Sequence, residues 1–242
     1  MSVGIVLVSH SPQLAQATYE LGMQMVADCS VRVEIAAGSS EGTFGTDAMV
    51  IMTAIEAAQD GDGVVILTDL GSAILSTDMA LEFLGYPDNV MMVPAPFVEG
   101  FMSAIVAAST GNTLAEVVRQ ARHSLEAKRH QIDGALISDD EPVLDTVDVT
   151  PQPDTYSQRV KIVNATGLHA RPAAQLVHLA SQYQAQVFIV YDGETVSATS
   201  LMDVAGLGTQ GGDEIELRAQ GEQAEQVLAA LAELIDSGFG EI

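Results

Sequence analysis

Short apolar runs alternate with amphipathic stretches through the first half of the chain. Val3 to Val8 is apolar and ends in Ser9-His10-Ser11-Pro12. Such a run predicts a strand buried on both faces that feeds straight into a helix. Ser9 and Ser11 are capping types, and Pro12 suits a first helical turn. Leu14, Ala17, Leu21 and Met25 then mark an apolar helix face. The alternation continues, with strands predicted at 31–35, 64–67 and 90–93. Helices are predicted from Thr46 to about Ala58, from the Asp69-Leu70-Gly71-Ser72 turn to about Leu84, and over 97–108 and 113–130. This order predicts an α/β domain with a doubly wound, mostly parallel sheet. Ligand chemistry in such a sheet lies beyond the carboxyl ends of the strands. His10 and Asp69 each follow an apolar strand directly, so both are expected on that edge.

The pattern changes near Gly134. From there to Ser157 no basic residue occurs, while Asp139, Asp140, Glu141, Asp145, Asp148 and Asp154 are acidic and Pro142, Pro151 and Pro153 break helices. The stretch predicts a self-repelling, semi-extended linker. It divides the chain into a domain at 1–133, a linker at 134–157 and a domain at 158–242. In the second domain a strand is predicted at 160–163. A helix follows His169, with Leu176, Val177, Ala180 and Tyr183 on one face. Strands at 187–191 and 194–198 flank Asp192-Gly193, a hairpin signal. Ser200 is placed to cap a short helix, 214–217 alternates as a strand, and 222–235 forms a terminal helix. These elements predict an α+β open-faced sandwich, with helices on one face of an antiparallel sheet.

Composition narrows the function. The chain has 242 residues, of which 48% are hydrophobic, so it can bury real cores. Its 33 acidic and 9 basic residues give a net charge of −24. That argues against nucleic acid and anionic membranes as partners. It leaves local phosphate chemistry open. Cys29 is alone, which excludes an intrachain disulfide and a zinc cysteine cluster and fits a reducing cytosol. No metal site is expected. With no basic N-terminal region and no apolar run of membrane-spanning length, a soluble, cytoplasmic protein is expected. Gly38, Gly42 and Gly45 precede Thr46 without a lysine, so that loop is not a P-loop.

Two histidines remain as candidates. His169 stands in Gly167-Leu168-His169-Ala170-Arg171-Pro172-Ala173. Pro172 belongs in a first helical turn, which puts His169 at or beside the N-cap. Free amides there, the helix dipole and the Arg171 cation can together meet phosphate oxygens. The plainer reading of His169 is a helix cap. Asn164, this motif and Thr199-Ser200-Leu201-Met202 resemble HPr, the histidine phosphocarrier of the bacterial phosphotransferase system. The resemblance covers about Arg159 to Asp236. It places Ser200 where some family members are modified by a regulatory kinase, although an N-cap role is favoured for Ser200. The resemblance implies that Leu201, Met202 and Val204 are partly exposed on a helix that docks enzyme I, and core packing is the alternative reading of the same residues. His123, His130 and His178 are expected on solvated helix faces.

His10, between Ser9 and Ser11, is the second candidate. Amides of the following helix can meet phosphate, and Asp69 can hold the imidazole in one tautomer. Val8-Ser9-His10-Ser11, Ala36-Ala37-Gly38, Gly45-Thr46-Asp47, Asp69-Leu70-Gly71-Ser72-Ala73, Ala95-Pro96-Phe97-Val98-Glu99-Gly100 and Leu125-Glu126-Ala127-Lys128-Arg129 resemble a mannose-type IIA domain. With the HPr-like domain behind it, the chain resembles the phosphotransfer subunits of phosphoenolpyruvate-dependent dihydroxyacetone kinases.

That resemblance implies a relay. Enzyme I takes phosphate from phosphoenolpyruvate, His169 carries it on Nδ1, and His10 carries it on Nε2. The last acceptor is ADP on a nucleotide-binding subunit, and the ATP formed phosphorylates dihydroxyacetone on a third subunit. The chain itself is expected to bind no cofactor. Arg171, Ala170, Ser9, Ser11, Asp69, Gly71 and Ser72 are expected to stabilise the phosphoryl groups. Some members continue into an enzyme I-like domain, and this chain stops at Ile242, so a separate enzyme I is expected, with free HPr as another route. A homodimer through the first domain is also expected from resemblance. A signalling module read by its phosphorylation state, or a sugar-transport IIA component, remains the alternative.

Overall fold

The computed structural model describes residues 2–26, 30–39, 43–136 and 155–241. The chain forms two compact units, Met1–Leu125 and Glu126–Ile242.

In the first unit, β1 (Gly4–Ser9), β2 (Val33–Ala37), β3 (Val64–Thr68) and β4 (Val90–Met92) form a parallel sheet in the order β2-β1-β3-β4. Helices α1 (Pro12–Met23), α2 (Ala48–Ala58) and α3 (Gly71–Phe83) link successive strands. Helices α4 (Phe97–Ser109) and α5 (Leu114–Leu136) follow. Every residue of β1 is buried, as a central strand flanked on both sides requires. Val6 and Val8 pack into one cluster with Ile51, Ile55, Ala73 and Ala80 of α2 and α3. Ile5 and Leu7 alternate to the opposite face and are also fully buried. Helices α1 and α4 pack closely, and a Cβ on Gly22 would lie 2.3 Å from the Phe101 ring. The sheet order turns back between β1 and β3, so the carboxyl ends of these neighbours diverge into different connections. That is where a crevice opens in such sheets.

The second unit contains β5 (Tyr156–Lys161), α6 (Ala170–Ala180), β6 (Gln186–Tyr191), β7 (Glu194–Ser197), α7 (Leu201–Gly206), β8 (Glu214–Gln220) and α8 (Ala224–Asp236). Its sheet is antiparallel in the order β5-β8-β6-β7. In β8, Ile215, Leu217 and Ala219 are buried while the residues between them are not, so the sheet has one packed face and one open face. The hairpin between β6 and β7 turns at Asp192 (φ 47°) and Gly193 (φ 84°), as its sequence predicts.

Some boundaries differ from expectation. Strand β2 begins two residues later than 31–35 predicts, because its register on β1 runs from Val33 to Ala37. Helix α5 continues through Gly134 to Leu136, since one glycine costs a helix only about 1 kcal/mol and the first proline comes later. Tyr156 and Ser157 pair with Ala219 and Arg218, so they belong to a strand rather than to the linker. The remainder of the expected linker, 137–154, and Cys29 lie outside the described residues.

Candidate functional site

The first site is assembled at the carboxyl ends of β1 and β3. Parallel pairing sets Val8 beside Thr68, which brings His10, two residues on, and Asp69, one residue on, within reach of each other. The His10 backbone N–H donates to Asp69 Oδ2 at 2.8 Å, and Ser9 Oγ donates to the same oxygen at 2.8 Å. The imidazole Nδ1 lies 2.8 Å from Asp69 Oδ1, and the Leu70 amide also donates to Oδ1. A carboxylate only accepts, so Nδ1 carries the hydrogen and Nε2 presents its lone pair. Burial pushes the Asp69 carboxyl up, but the His10 amide and imidazole, Ser9 and Leu70 together hold it below the ordinary carboxylate range. It therefore stays ionised and fixes the tautomer.

Nε2 meets the hydroxyl of Ser72, in the first turn of α3. That helix has no side-chain cap at Leu70. The first amides of a helix have no intrahelical acceptor, and here Gly71 and Ser72 stand at that end. A Cβ built on Gly71 would meet nothing within 4 Å, so the space in front of this turn is open. A phosphoryl group on Nε2 would thus meet α3. The helix that follows His10 in sequence pointed to α1, while the resemblance pointed to Gly71 and Ser72; Ser11 already caps α1 by accepting from the Leu14 amide. Ser9 is fully buried under Asp69. Neither serine hydroxyl is engaged on the Nε2 side: Ser9 holds the Asp69 carboxylate behind the imidazole, and Ser11 is spent on capping α1. Ahead of α2, the Gly45 N–H donates to the His10 carbonyl at 3.1 Å.

The second site lies at the N-terminus of α6. His169 is the N-cap residue, with extended backbone (φ −66°, ψ 177°) and no side-chain cap bond. The amides of Ala170 and Arg171 open the helix, and Pro172 has no N–H to satisfy. Arg171 is exposed and makes no hydrogen bond or ion pair among the described residues. The imidazole Nε2 lies 3.1 Å from Glu241 Oε2, which leaves Nδ1 on the other side of the ring. Asn164 Nδ2 donates to the Gly167 carbonyl at 2.8 Å and lies 3.3 Å from the same Glu241 oxygen. Thr209 Oγ1 accepts from the Leu168 amide at 3.0 Å. Gly167 has φ 70°, and a Cβ there would sit 1.8 Å from the Thr209 carbonyl oxygen.

Glu241 and Thr209 were invisible to sequence reasoning. Each is far from His169 along the chain and stands in no local motif. Asn164 was visible only through its resemblance.

The remaining candidates separate clearly. Ser200 is the N-cap residue of α7, yet its hydroxyl makes no cap bond and is buried without a partner. Leu201 and Val204 are buried, which favours the core-packing reading over the docking one for them; of the three, Met202 is partly exposed. His178 is exposed as expected, while His123 is half-buried. Among the described residues, no group of three or more His, Cys, Asp or Glu side chains is placed to hold a metal ion. Among them no helix is long and apolar enough to cross a membrane.

The division into two units matches known proteins. Residues 4–118 match the family described as the PTS system fructose IIA component, and residues 156–237 match the PTS HPr component phosphorylation site. Over 99% of its length the chain is 38% identical to the phosphoryl donor subunit DhaM of the PEP-dependent dihydroxyacetone kinase of Escherichia coli, covering 51% of that protein. It is 36% identical over 106 residues to the phosphoryl donor subunit DhaM of PEP-dependent dihydroxyacetone kinase 2 of Listeria innocua, covering 43% of this chain and 84% of the relative. It is 44% identical over 86 residues to the phosphocarrier protein HPr of Streptomyces coelicolor, covering 35% of this chain and 92% of the relative. The chain spans about half the length of the curated relatives that it matches from end to end. With a IIA-type unit followed by an HPr-type unit, each presenting a histidine at a helix N-terminus, the chain belongs to the DhaM family of phosphoryl donor subunits.

Proposed function

We propose that the chain is a two-site phosphohistidine relay of a phosphoenolpyruvate-dependent dihydroxyacetone kinase. Enzyme I charges His169 on Nδ1, His169 passes the phosphoryl group to Nε2 of His10, and His10 delivers it to ADP on a nucleotide-binding subunit. The ATP so formed phosphorylates dihydroxyacetone on a dihydroxyacetone-binding subunit. One observation supports this reading above the others: both histidines have one ring nitrogen against a carboxylate, Asp69 or Glu241, at the start of a helix that no side chain caps. A phosphoryl group supplies the missing cap. Its oxygens meet Ala170 and Arg171 at one site, and Gly71 and Ser72 at the other. Neither transfer asks for a metal or a bound cofactor on this chain. The relay is a cytoplasmic one, and neither nucleic acid nor a membrane takes part.

The first unit is the one through which two copies associate. Helix α3 exposes Leu75, Met79 and Phe83 at 70%, 51% and 56%, one turn apart, an apolar stripe that a second copy would cover. The test of the relay is reconstitution. Enzyme I, phosphoenolpyruvate, the chain, the two kinase subunits, ADP and dihydroxyacetone are mixed, and dihydroxyacetone phosphate is measured. His169→Ala should end charging by enzyme I, and addition of free HPr tests whether His10 has a second route. Full turnover by the variant with enzyme I alone would remove His169 from the relay.

A further inference from the structure

We propose that Glu241 is the positioning residue that commits His169 to phosphorylation at Nδ1, with Asn164 holding its carboxylate in place. This rests on the relay proposed above. Glu241 Oε2 lies 3.1 Å from His169 Nε2 and 3.3 Å from Asn164 Nδ2. A carboxylate accepts and does not donate, so Nε2 carries the ring hydrogen and Nδ1 keeps the lone pair. Asn164 is almost fully buried, and both groups facing its nitrogen, the Gly167 carbonyl and Glu241, are acceptors. Its amide orientation is therefore fixed, with the NH2 group toward the carboxylate.

Glu241 is held where it stands. Beyond α8 the chain turns through Phe239 (φ 57°), whose side chain is 4% exposed and anchors the turn in the core. The Phe239 carbonyl accepts from Gln175 Nε2 of α6 at 3.4 Å, and the Glu241 amide donates to the Gly238 carbonyl at 2.9 Å. The carboxylate is thus tied to the helix that carries His169. Its side chain is 19% exposed, against 42% for the imidazole it faces.

The transfer step balances without a further reactant. The Nδ1 lone pair attacks the phosphorus of an N-phosphorylated histidine on the donor. The Nδ1–P bond forms as the donor N–P bond breaks, and that electron pair returns to the donor ring. Nε2 keeps its hydrogen, so positive charge develops on the His169 ring, and Glu241 faces that charge. Asp69 plays the same part at His10 from the opposite nitrogen. The two carboxylates therefore choose opposite isomers on the two histidines.

The test is the isomer formed when the full chain is phosphorylated with phosphoramidate, a small donor that needs no enzyme. Ring 15N and 31P resonances of residue 169 are assigned by their absence from His169→Ala. The parent should give the Nδ1 isomer at residue 169. Glu241→Ala should give a mixture that includes the Nε2 isomer, and enzyme I should charge it about tenfold more slowly, whereas Glu241→Gln, which keeps an acceptor, should retain Nδ1. A Glu241→Ala protein that forms only the Nδ1 isomer overturns the proposal, whether or not its charging by enzyme I slows. A parent that phosphoramidate labels at Nδ1 but enzyme I never labels would instead sink the relay, and the isomer comparison would still decide the role of Glu241.

Discussion

Asp69 accepts from Ser9, from the His10 amide and imidazole, and from the Leu70 amide through its two oxygens. Burial alone would raise its pKa, and these donors together bring it below the ordinary value of 3.8. A carboxylate whose pKa is lower in the folded state stabilises the fold above its unfolded pKa. That stability is lost as pH falls through the folded pKa. The stability difference between the parent and Asp69→Asn should therefore be constant above about pH 5 and shrink below about pH 4. Chemical denaturation at a series of pH values measures it, and a difference that grows on acidification would contradict the assignment. Ser72 touches His10 Nε2, the nitrogen proposed to carry the phosphoryl group. Its hydroxyl holds the imidazole before transfer and is placed to donate to a phosphoryl oxygen afterwards. Loss of one such bond is worth about 0.5–1.5 kcal/mol, so Ser72→Ala should slow transfer from His10 by roughly two- to tenfold. Stopped-flow transfer from the phosphorylated chain reads this directly, and an unchanged rate would leave Ser72 as packing only. Arg171 should matter more, because a charge-assisted contact is worth about 1.5–3 kcal/mol. Arg171→Ala should be charged by enzyme I roughly ten- to a hundredfold more slowly.

At the scale of elements, periodicity and punctuation were enough to place the strands and helices of both units. Val3 to Val8 had to be buried on both faces, and β1 is one of the two central strands with neighbours on either side. Pro172 and Pro12 marked helix starts correctly because their fixed φ suits only a few positions. What local periodicity concealed was that α3, not α1, faces the His10 nitrogen; only the family resemblance pointed to Gly71 and Ser72. His10 precedes α1 along the chain, yet its nitrogen meets α3, because strand pairing sets the end of β1 beside the end of β3. Pairing between distant segments leaves no local periodic trace, and the same reason hid Glu241 and Thr209. Ser200 shows the converse: its position at a helix start was legible, but not that its hydroxyl would be buried and unpartnered. Gly167 links sequence and geometry most tightly. Its φ of 70° and the Thr209 carbonyl against its Cα leave no room for a side chain. Gly167→Ala should destabilise the second unit by on the order of 2–3 kcal/mol and displace the backbone that orients His169. Its unfolding midpoint and its charging by enzyme I should both fall, whereas a stable variant that charges normally would show that the loop can rebuild elsewhere.

At the scale of the whole molecule, having both histidines in one chain sets the kinetic order that the proposed relay should show. Two separate proteins at micromolar concentration meet at a rate set by that concentration. Two units on one chain meet at an effective concentration of about a millimolar when the connection allows contact. The net charge of −24 per chain strengthens the contrast, because beyond the apolar contact of a dimer like-charged assemblies repel one another, while the tether acts within one chain. Transfer from His169 to His10 should therefore be first-order within the chain and largely independent of dilution. A mixture of His10→Ala with His169→Ala isolates the alternative. On the proposed relay the first variant is charged but does not deliver, and the second delivers but is not charged by enzyme I. Dihydroxyacetone phosphorylation by the mixture should rise with the product of the two concentrations. It should also rise with salt as repulsion is screened, since the Debye length falls from about 30 Å at 0.01 M to about 10 Å at 0.1 M. The parent should show neither dependence over the same range. If the mixture matches the parent at every dilution, phosphate passes as readily between chains as within one, and the fusion of the two units serves something other than transfer. If His10→Ala alone sustains the parent rate, phosphate leaves from His169, and the first unit is not the donor.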